Sequence, residues 1–406
     1  LIERVKTPQA LLAQSAEINP IEDVFLVRQF VKAEILYQSL MRDSVVSRFA
    51  QFSLLPHLST SRSTALYKHN KFSLNLLAGY SSGLRGLEIG GLMNIDRNKV
   101  SGLQLAGLGN VVGGNTQGVQ IAGGFNVNRS SVRGIQLAGI NNWADSLIGG
   151  QFSPVNNYLK GELAGIQLSA AVNVSKGNIK GVQAAGILNA GKSLKGLQVA
   201  GVANISTKEF SGLQVSSIFN KASSGKGLQL GLINVCDSLE GVPIGLINII
   251  KEGYRGVEIG GGISLPTSIK LKTGNHALYS ILALGWRPGD QGIWGYGFGL
   301  GNARKIRPNI YLHNEILIWH IHQDQTFITK LNHLLQFHPS LHKTLSPKLE
   351  LSLGPVFNVH LSNYIDPLTG SPLSSLHPYN SQAKLSENAS NLFQFWLGGQ
   401  IALTLF

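Results

Sequence analysis

Eight of the eleven histidines fall between residues 313 and 377, at His313, His320, His322, His333, His338, His342, His360 and His377. Imidazole is a common metal ligand, so this density raises the question of a zinc-type site, which would need several rings to converge with hydrogen-bonded support. In the strand pattern developed below, His320 and His322 share a face with Ile316 and Ile318, which reads as interfacial histidine at a strand end. His313, Glu315 and His360 read as part of a solvated wall. No metal and no other cofactor is expected. Ser352, Asn358 and His360 supply the residue types of a hydrolytic triad, yet all three fall on the water-facing side of that pattern. A lipid hydrolase needs its nucleophile at the lipid boundary, so no enzyme is expected. Cys236 is the single cysteine and allows neither an internal disulfide nor a cysteine-based metal site. Glycine pairs such as Gly113 and Gly114 are not phosphate loops, because no helix follows them.

Charge gives the second candidate chemistry. Lys and Arg outnumber Asp and Glu by 34 to 21, for a net charge of +13, which suits an anionic partner. The basic residues sit singly or in pairs, without the arginine-rich or aromatic-studded runs of nucleic-acid modules, so nucleic acid is not an expected partner. Ten of them, Arg97, Lys99, Arg129, Arg133, Lys192, Lys195, Lys221, Lys226, Lys251 and Arg255, lie at turns of the repeat described next.

The elements that must position these residues are set by an internal repeat over residues 86–264. Its unit reads Gly, apolar, Gln, apolar, Ala or Gly, Gly, two variable residues, Asn. Examples are GLQLAGLGN from Gly102, GVQIAGGFN from Gly118 and GIQLAGINN from Gly134. Twelve units recur every 14 to 16 residues. Side chains alternate within a unit, with Gln120, Ala122 and Asn126 on one face and Val119, Ile121 and Phe125 on the other, which is a strand period. Two architectures fit: an antiparallel meander that closes into a barrel, and a parallel β-solenoid with Gln and Asn stacked in ladders.

The flanking segments favour the barrel. Leu349, Leu351, Leu353, Phe357, Val359 and Leu361 alternate with Glu350, Ser352, Asn358 and His360. Leu397, Ile401, Leu403 and Leu405 alternate in the same way with Gln394, Gln400 and Thr404, and aromatic residues cluster near the strand ends. Two strands before the repeat, twelve within it and six after it predict an all-β antiparallel transmembrane barrel of about 20 strands, within a range of 16–22, over residues 51–406. Residues 1–50 then form a periplasmic linker or plug, with a helix from about Pro20 to Arg42. An even strand count puts both termini in the periplasm of a Gram-negative outer membrane. Alternate turns of the repeat carry net charges of +8 and −1, so the more basic set is expected outside. There the ten basic residues would contact lipopolysaccharide phosphates. The function expected is a channel or a scaffold subunit of a larger envelope complex, with outer-membrane lipid, lipopolysaccharide and other outer-membrane or periplasmic subunits as partners. The alternative is a β-solenoid surface or adhesion protein.

The GxQxAGxxN units, with SLNLLAGYSSGLRGLEIGGLMNI at Ser73–Ile95, WGYGFGLG at Trp294–Gly301 and LGPVFNV at Leu353–Val359, resemble the surface-repeat outer-membrane proteins of Bacteroidota. The resemblance covers roughly residues 50–406. It implies an outer-membrane location, and a longer protein of which this chain is the barrel end. It implies no activity. Phe406 resembles the terminal aromatic of many outer-membrane barrels, although the alternation puts it on the face of Thr404 and Gln400.

Overall fold

The computed structural model describes residues 21, 27, 46–61, 68–288, 292–322, 330–363, 376 and 392–406. The chain divides into two compact units, residues 1–216 and 217–406. It builds a β-solenoid of about 11 turns and a small eight-stranded barrel. The solenoid strands, β1–β22, run from Val46 to Ile250, and the barrel strands, β23–β30, run from Tyr254 to Leu405.

In the first unit each sequence repeat makes one coil containing two strands. A long strand such as β7 (Val100–Ala106) is followed by a corner at Gly107 and Leu108, then a short strand such as β8 (Gly109–Val112), then a turn. The next coil stacks in parallel register, with Gly102 beside Gly118 and Gln104 beside Gln120. The glycine column decides this. Gly118 has φ +138°, and a Cβ there would lie 1.9 Å from the carbonyl oxygen of Gly102. Only glycine combines that left-handed backbone with so close a neighbouring strand.

The coil interior carries two polar columns beside an apolar one. Gln104, Gln120, Gln136 and Gln151 are fully buried, as are Asn94, Asn110, Asn126 and Asn142. They form two ladders. Each Gln donates through Nε2 to the Oε1 of the preceding coil, as Gln120 does to Gln104 at 2.8 Å and Gln151 to Gln136 at 2.7 Å. Each Asn donates the other way, Asn110 to Asn126 and Asn126 to Asn142, both at 2.9 Å. The second amide hydrogen of Asn110 goes to the Ile121 carbonyl at 3.0 Å. The ladders run beside a column of buried apolar side chains, Leu84, Val100, Val132, Leu147, Leu163 and Ile179, so satisfied amides and apolar packing together hold the stack. The aliphatic partners of the alternation therefore point outward, with Ile135, Leu137, Ile140 and Ile148 exposed.

Val46–Leu55 (β1) and Lys68–Asn75 (β3) also pair in parallel, Gln51 beside Ser73, so these segments are solenoid strands. Residues 22–26 and 28–45, on which the expected helix falls, lie outside the described residues. Ile21 and Val27 are buried against Ala78, Tyr80, Met93, Ile95 and Val111.

The second unit opens with further coils, β20 (Phe219–Leu230), β21 (Ile233–Ile244) and β22 (Ile247–Ile250). Pro243 stands beside Gln229 in the register. It has no amide to continue the Gln ladder, whereas the Asn ladder runs on from Asn220 to Asn234 to Asn248. Asn248 Nδ2 then donates to Ser280 Oγ in the barrel at 2.9 Å.

The barrel is closed and antiparallel, from β23 (Tyr254–Gly262) through β24 (Thr267–Gly274), β25 (Tyr279–Arg287), β26 (Ile293–Arg307), β27 (Ile310–His322), β28 (Asn332–Ser346) and β29 (Leu349–Ser362) to β30 (Leu392–Leu405), which pairs back onto β23. The expected barrel of about 20 strands is therefore corrected. Only the last repeat unit, around Glu258, and the C-terminal segments enter a barrel. The twelve-unit meander fails because the units are broken at a two-residue corner, such as Gly107–Leu108 or Pro154–Val155, and pair in parallel with their neighbours.

Candidate functional site

Two places gather the chemistry, the turn edge of the solenoid and the barrel lumen. In the solenoid, the inter-coil turns of the first unit stack along one edge and the two-residue corners along the other. Between Leu92 and Ser216 every Lys, Arg, Asp and Glu except the buried Asp96 lies at an inter-coil turn position or in the first two positions of the long segment after it. The corners instead expose Leu108, Ile140, Val155, Ile187 and Val202. Arg97, Lys99, Arg129, Arg133, Lys192 and Lys195 share the turn edge; in the second unit Lys226 and Lys251 occupy corresponding positions, whereas Lys221 lies within β20 beside Val235 and Arg255 in the barrel strand β23. The division into outward and inward turns does not occur, since a solenoid puts every inter-coil turn on the same edge. Arg97 is buried. Arg129 lies over the Trp143 ring at 5.1 Å, and Trp143 stacks on Tyr158 at 6.2 Å. Lys226 is 3.6 Å from Glu240, both well exposed, a pair worth little in water.

At the start of the Gln ladder Glu88 replaces the amide, and Asp96, in the column of Ser81 and Val112, faces the ladder. Gln104 Nε2 donates to Glu88 Oε2 at 2.9 Å and to Asp96 Oδ2 at 2.7 Å, and Ser81 Oγ donates to Asp96 Oδ1. Burial, then the adjacent Glu88 charge, holds the Asp96 carboxyl well above its usual range. Cys236 is buried in the second unit's coils, and burial pushes its thiol up to about 11, so it is an inert packing residue.

The lumen of the barrel is filled. Lys270 and Lys272 alternate along β24 and both point inward, as do Glu258 on β23 and Glu315 on β27, all four at most 1% exposed. Lys270 Nζ is 3.0 Å from Glu258 Oε1 and Lys272 Nζ is 2.5 Å from Glu258 Oε2. Lys272 also contacts Glu315. Further along, Trp319 Nε1 donates to Gln336 Oε1 at 2.6 Å, Gln336 Nε2 to Asn358 Oδ1 at 2.8 Å, and Trp396 Nε1 to Ser264 Oγ at 3.1 Å. The cavity beside these residues is about 10 Å³, roughly one water. An eight-stranded barrel is only wide enough for side chains to fill its interior. Outside it are Leu284, Ile316, Ile318, Leu353, Phe395 and Ile401, all more than half exposed.

The alternation read from β29 and β30 matches this division, with Ser352, Asn358, His360, Gln394 and Thr404 buried inside and Leu353, Leu361, Leu397 and Leu405 outside. The triad residue types do not meet. Ser352 and His360 are eight residues apart on one strand, about 26 Å at the strand rise. Ser352 Oγ donates to the Ala402 carbonyl at 3.2 Å, and His360 Nε2 is 2.8 Å from Asn332 Oδ1. His322 is buried beside Trp294, with ring centroids 4.2 Å apart, so it is not an outward interfacial residue. The lysine–glutamate quartet was not legible, because Glu258 reads as one more substitute at the Gln position. The spacing of Lys270 and Lys272, two cations on one face of an amphipathic strand, was the available signal.

Compared with known protein families, with curated proteins and with solved structures, the chain matches none.

Proposed function

We propose that this protein is a membrane-anchored β-solenoid of the cell envelope, non-enzymatic, with the eight-stranded barrel as its anchor and the solenoid as its binding element. The observation that carries the reading is the polarity of the barrel, with aliphatic and aromatic side chains outside and charged and amide side chains inside, the distribution of a barrel solvated by lipid. The filled lumen argues against conduction, so of the two uses expected from the sequence the solenoid is favoured over the channel. The Bacteroidota resemblance suggests the outer membrane. The connections at 263–266, 288–292, 323–331 and 363–391 leave one rim, and the turns at 275–278, 308–309 and 347–348 leave the other together with the C-terminus. Outer-membrane barrels keep their short turns in the periplasm, which would put the solenoid's last coil there. The apolar corners and basic turn edge of the first unit are its binding surfaces. The turn-edge Arg and Lys residues suit lipid or lipopolysaccharide phosphate, or another anionic partner, through charge-assisted hydrogen bonds.

The test is fractionation with bilayer recording. The full chain is expected in the carbonate-resistant membrane pellet, released only by detergent, and to give no steady conductance steps in planar bilayers. Release by carbonate would remove the anchor, and steady nanosiemens-scale steps would restore the channel.

A further inference from the structure

Near the short-turn rim the barrel lumen holds more carboxylate than its lysines balance. Glu258, Glu315 and Glu350 are buried there, against Lys270 and Lys272 alone among the described residues. An unbalanced carboxylate in so dry a place calls for a bound cation. Two histidines stand beside it. The His313 and His342 rings are stacked with centroids 3.7 Å apart, and both residues are at most 1% exposed. His313, Glu315 and His342 each offer one ligand atom, all within 4.8 Å of one another.

Hydrogen bonds around these rings leave the lone pairs that a metal needs. Tyr279 Oη donates its one proton to Glu315 Oε1 at 2.8 Å. The 2.8 Å contact between Tyr279 Oη and His313 Nδ1 must therefore be donated by the imidazole, which leaves the lone pair on His313 Nε2. His342 Nε2 lies 3.1 Å from Ser340 Oγ. His342 Nδ1 and Glu350 Oε2 are buried, have no hydrogen-bond partner and lie 3.5 Å apart, while Glu315 Oε2 is 3.7 Å from Lys270 Nζ and 3.8 Å from His338 Nδ1. Glu350 is tethered through its other oxygen by Thr344 Oγ1 at 3.0 Å. In the tautomer with His342 Nε2 protonated toward Ser340, Nδ1 presents its lone pair beside the Glu350 carboxylate, and a cation there would engage both.

We propose that His313, His342 and Glu315 form a site for a zinc-type divalent cation, with Glu350 as a fourth ligand or as support for His342. Two imidazoles and a carboxylate are a zinc donor set, and Tyr279 and Ser340 are the supporting partners that orient such ligands. Zinc ligands stand about 2 Å from the ion, so binding draws the donor atoms together and turns one ring out of the stack about its Cβ–Cγ bond. The site would tie β27, β28 and β29 together inside the lumen.

The experiment uses the full chain, purified in detergent without chelator and again after treatment with a chelator, titrated with zinc chloride and with cobalt chloride. One zinc per chain by elemental analysis is expected, together with cobalt d–d bands of a four- or five-coordinate nitrogen and oxygen site. His313→Gln and His342→Gln should each weaken zinc binding at least tenfold, and Tyr279→Phe by roughly ten- to a hundredfold. His320→Gln, on the same strand outside this cluster, should leave it unchanged. Gel mobility with and without heating reports whether each variant still folds. Sub-stoichiometric zinc in the folded wild-type chain, or equal zinc affinity in folded His342→Gln, would overturn the site. This result is independent of the membrane-anchor reading, which the fractionation decides.

Discussion

Asn142→Leu tests whether the polar ladder is needed to hold the solenoid together. Asn142 Nδ2 donates to Asn157 Oδ1 at 2.9 Å and to the Phe152 carbonyl at 2.8 Å, and Asn142 Oδ1 accepts from Asn126 Nδ2 at 2.9 Å. Leucine is close in volume but makes none of these bonds. It leaves Asn157 Oδ1 without its donor and takes one acceptor from Asn126, both fully buried. At about 1–3 kcal/mol for each of the two buried groups left unmade, the loss is about 2–6 kcal/mol. In a stack where each coil touches only its neighbours, the loss is felt locally. Hydrogen exchange followed by mass spectrometry should therefore show lost protection in peptides spanning 126–157 and none around 46–75. The control is Asn141→Ala, one residue earlier and facing outward, which removes only the half-buried 3.2 Å bond from Asn156 Nδ2 and should cost about 1 kcal/mol or less. If Asn142→Leu matches wild type in exchange and in denaturant midpoint, or is no worse than Asn141→Ala, the ladder is not what stabilises the fold.

Four further outcomes follow from the same geometry. Gly134→Ala should abolish the folded solenoid around coils 118–149, since φ is +141° and the new Cβ would meet the Gly118 carbonyl oxygen at 1.8 Å; limited proteolysis would show a new cleavage there. Asp96 has a folded pKa raised above its unfolded value near 4, so its contribution is full below that value and lost as pH rises through the folded pKa. Exchange in residues 83–112 should therefore quicken with rising pH beyond the intrinsic rate, and Asp96→Asn should remove the excess; Asn128 already occupies the corresponding place two coils on. Lys272→Met leaves Glu258 and Glu315 short of a buried cation and should destabilise the barrel by about 3–5 kcal/mol, with partial recovery in Lys272→Met plus Glu258→Gln, read from the unfolding midpoint in detergent. Leu353→Arg, at a position 64% exposed on the barrel's outer face, should impair membrane insertion by about 2–4 kcal/mol if it lies near the bilayer midplane, whereas Leu353→Ile should insert normally.

The period-2 alternation, the repeat and its turns were all legible, because each is a property of consecutive residues. The faces of β29 and β30 were correctly paired for the same reason: Leu353 against Ser352, and Leu405 against Thr404, need only the strand's own pleat. The sequence likewise named the Gln and Asn columns that become ladders. Which coil partner each strand would choose was not written locally. An antiparallel meander and a parallel stack give Gln104 and Gln120 the same alternation, and they differ only in whether Gly118 lies against Gly102 in parallel register. That contact, through a positive φ and a carbonyl where a Cβ would be, is made between residues sixteen apart and exists only once the coils stack. It also decides that charges read as two sets of turns share one edge. In the barrel, His313 and His342 meet because β27 and β28 pair antiparallel with His313 beside Ser340, and Glu258 reaches Lys272 through the pairing of β23 with β24. Composition determined that amides would have to be satisfied and that aliphatic residues would alternate with them. Only the tertiary structure decided that the amides went inside, because a stacked coil can pair every buried amide with its copy in the next turn.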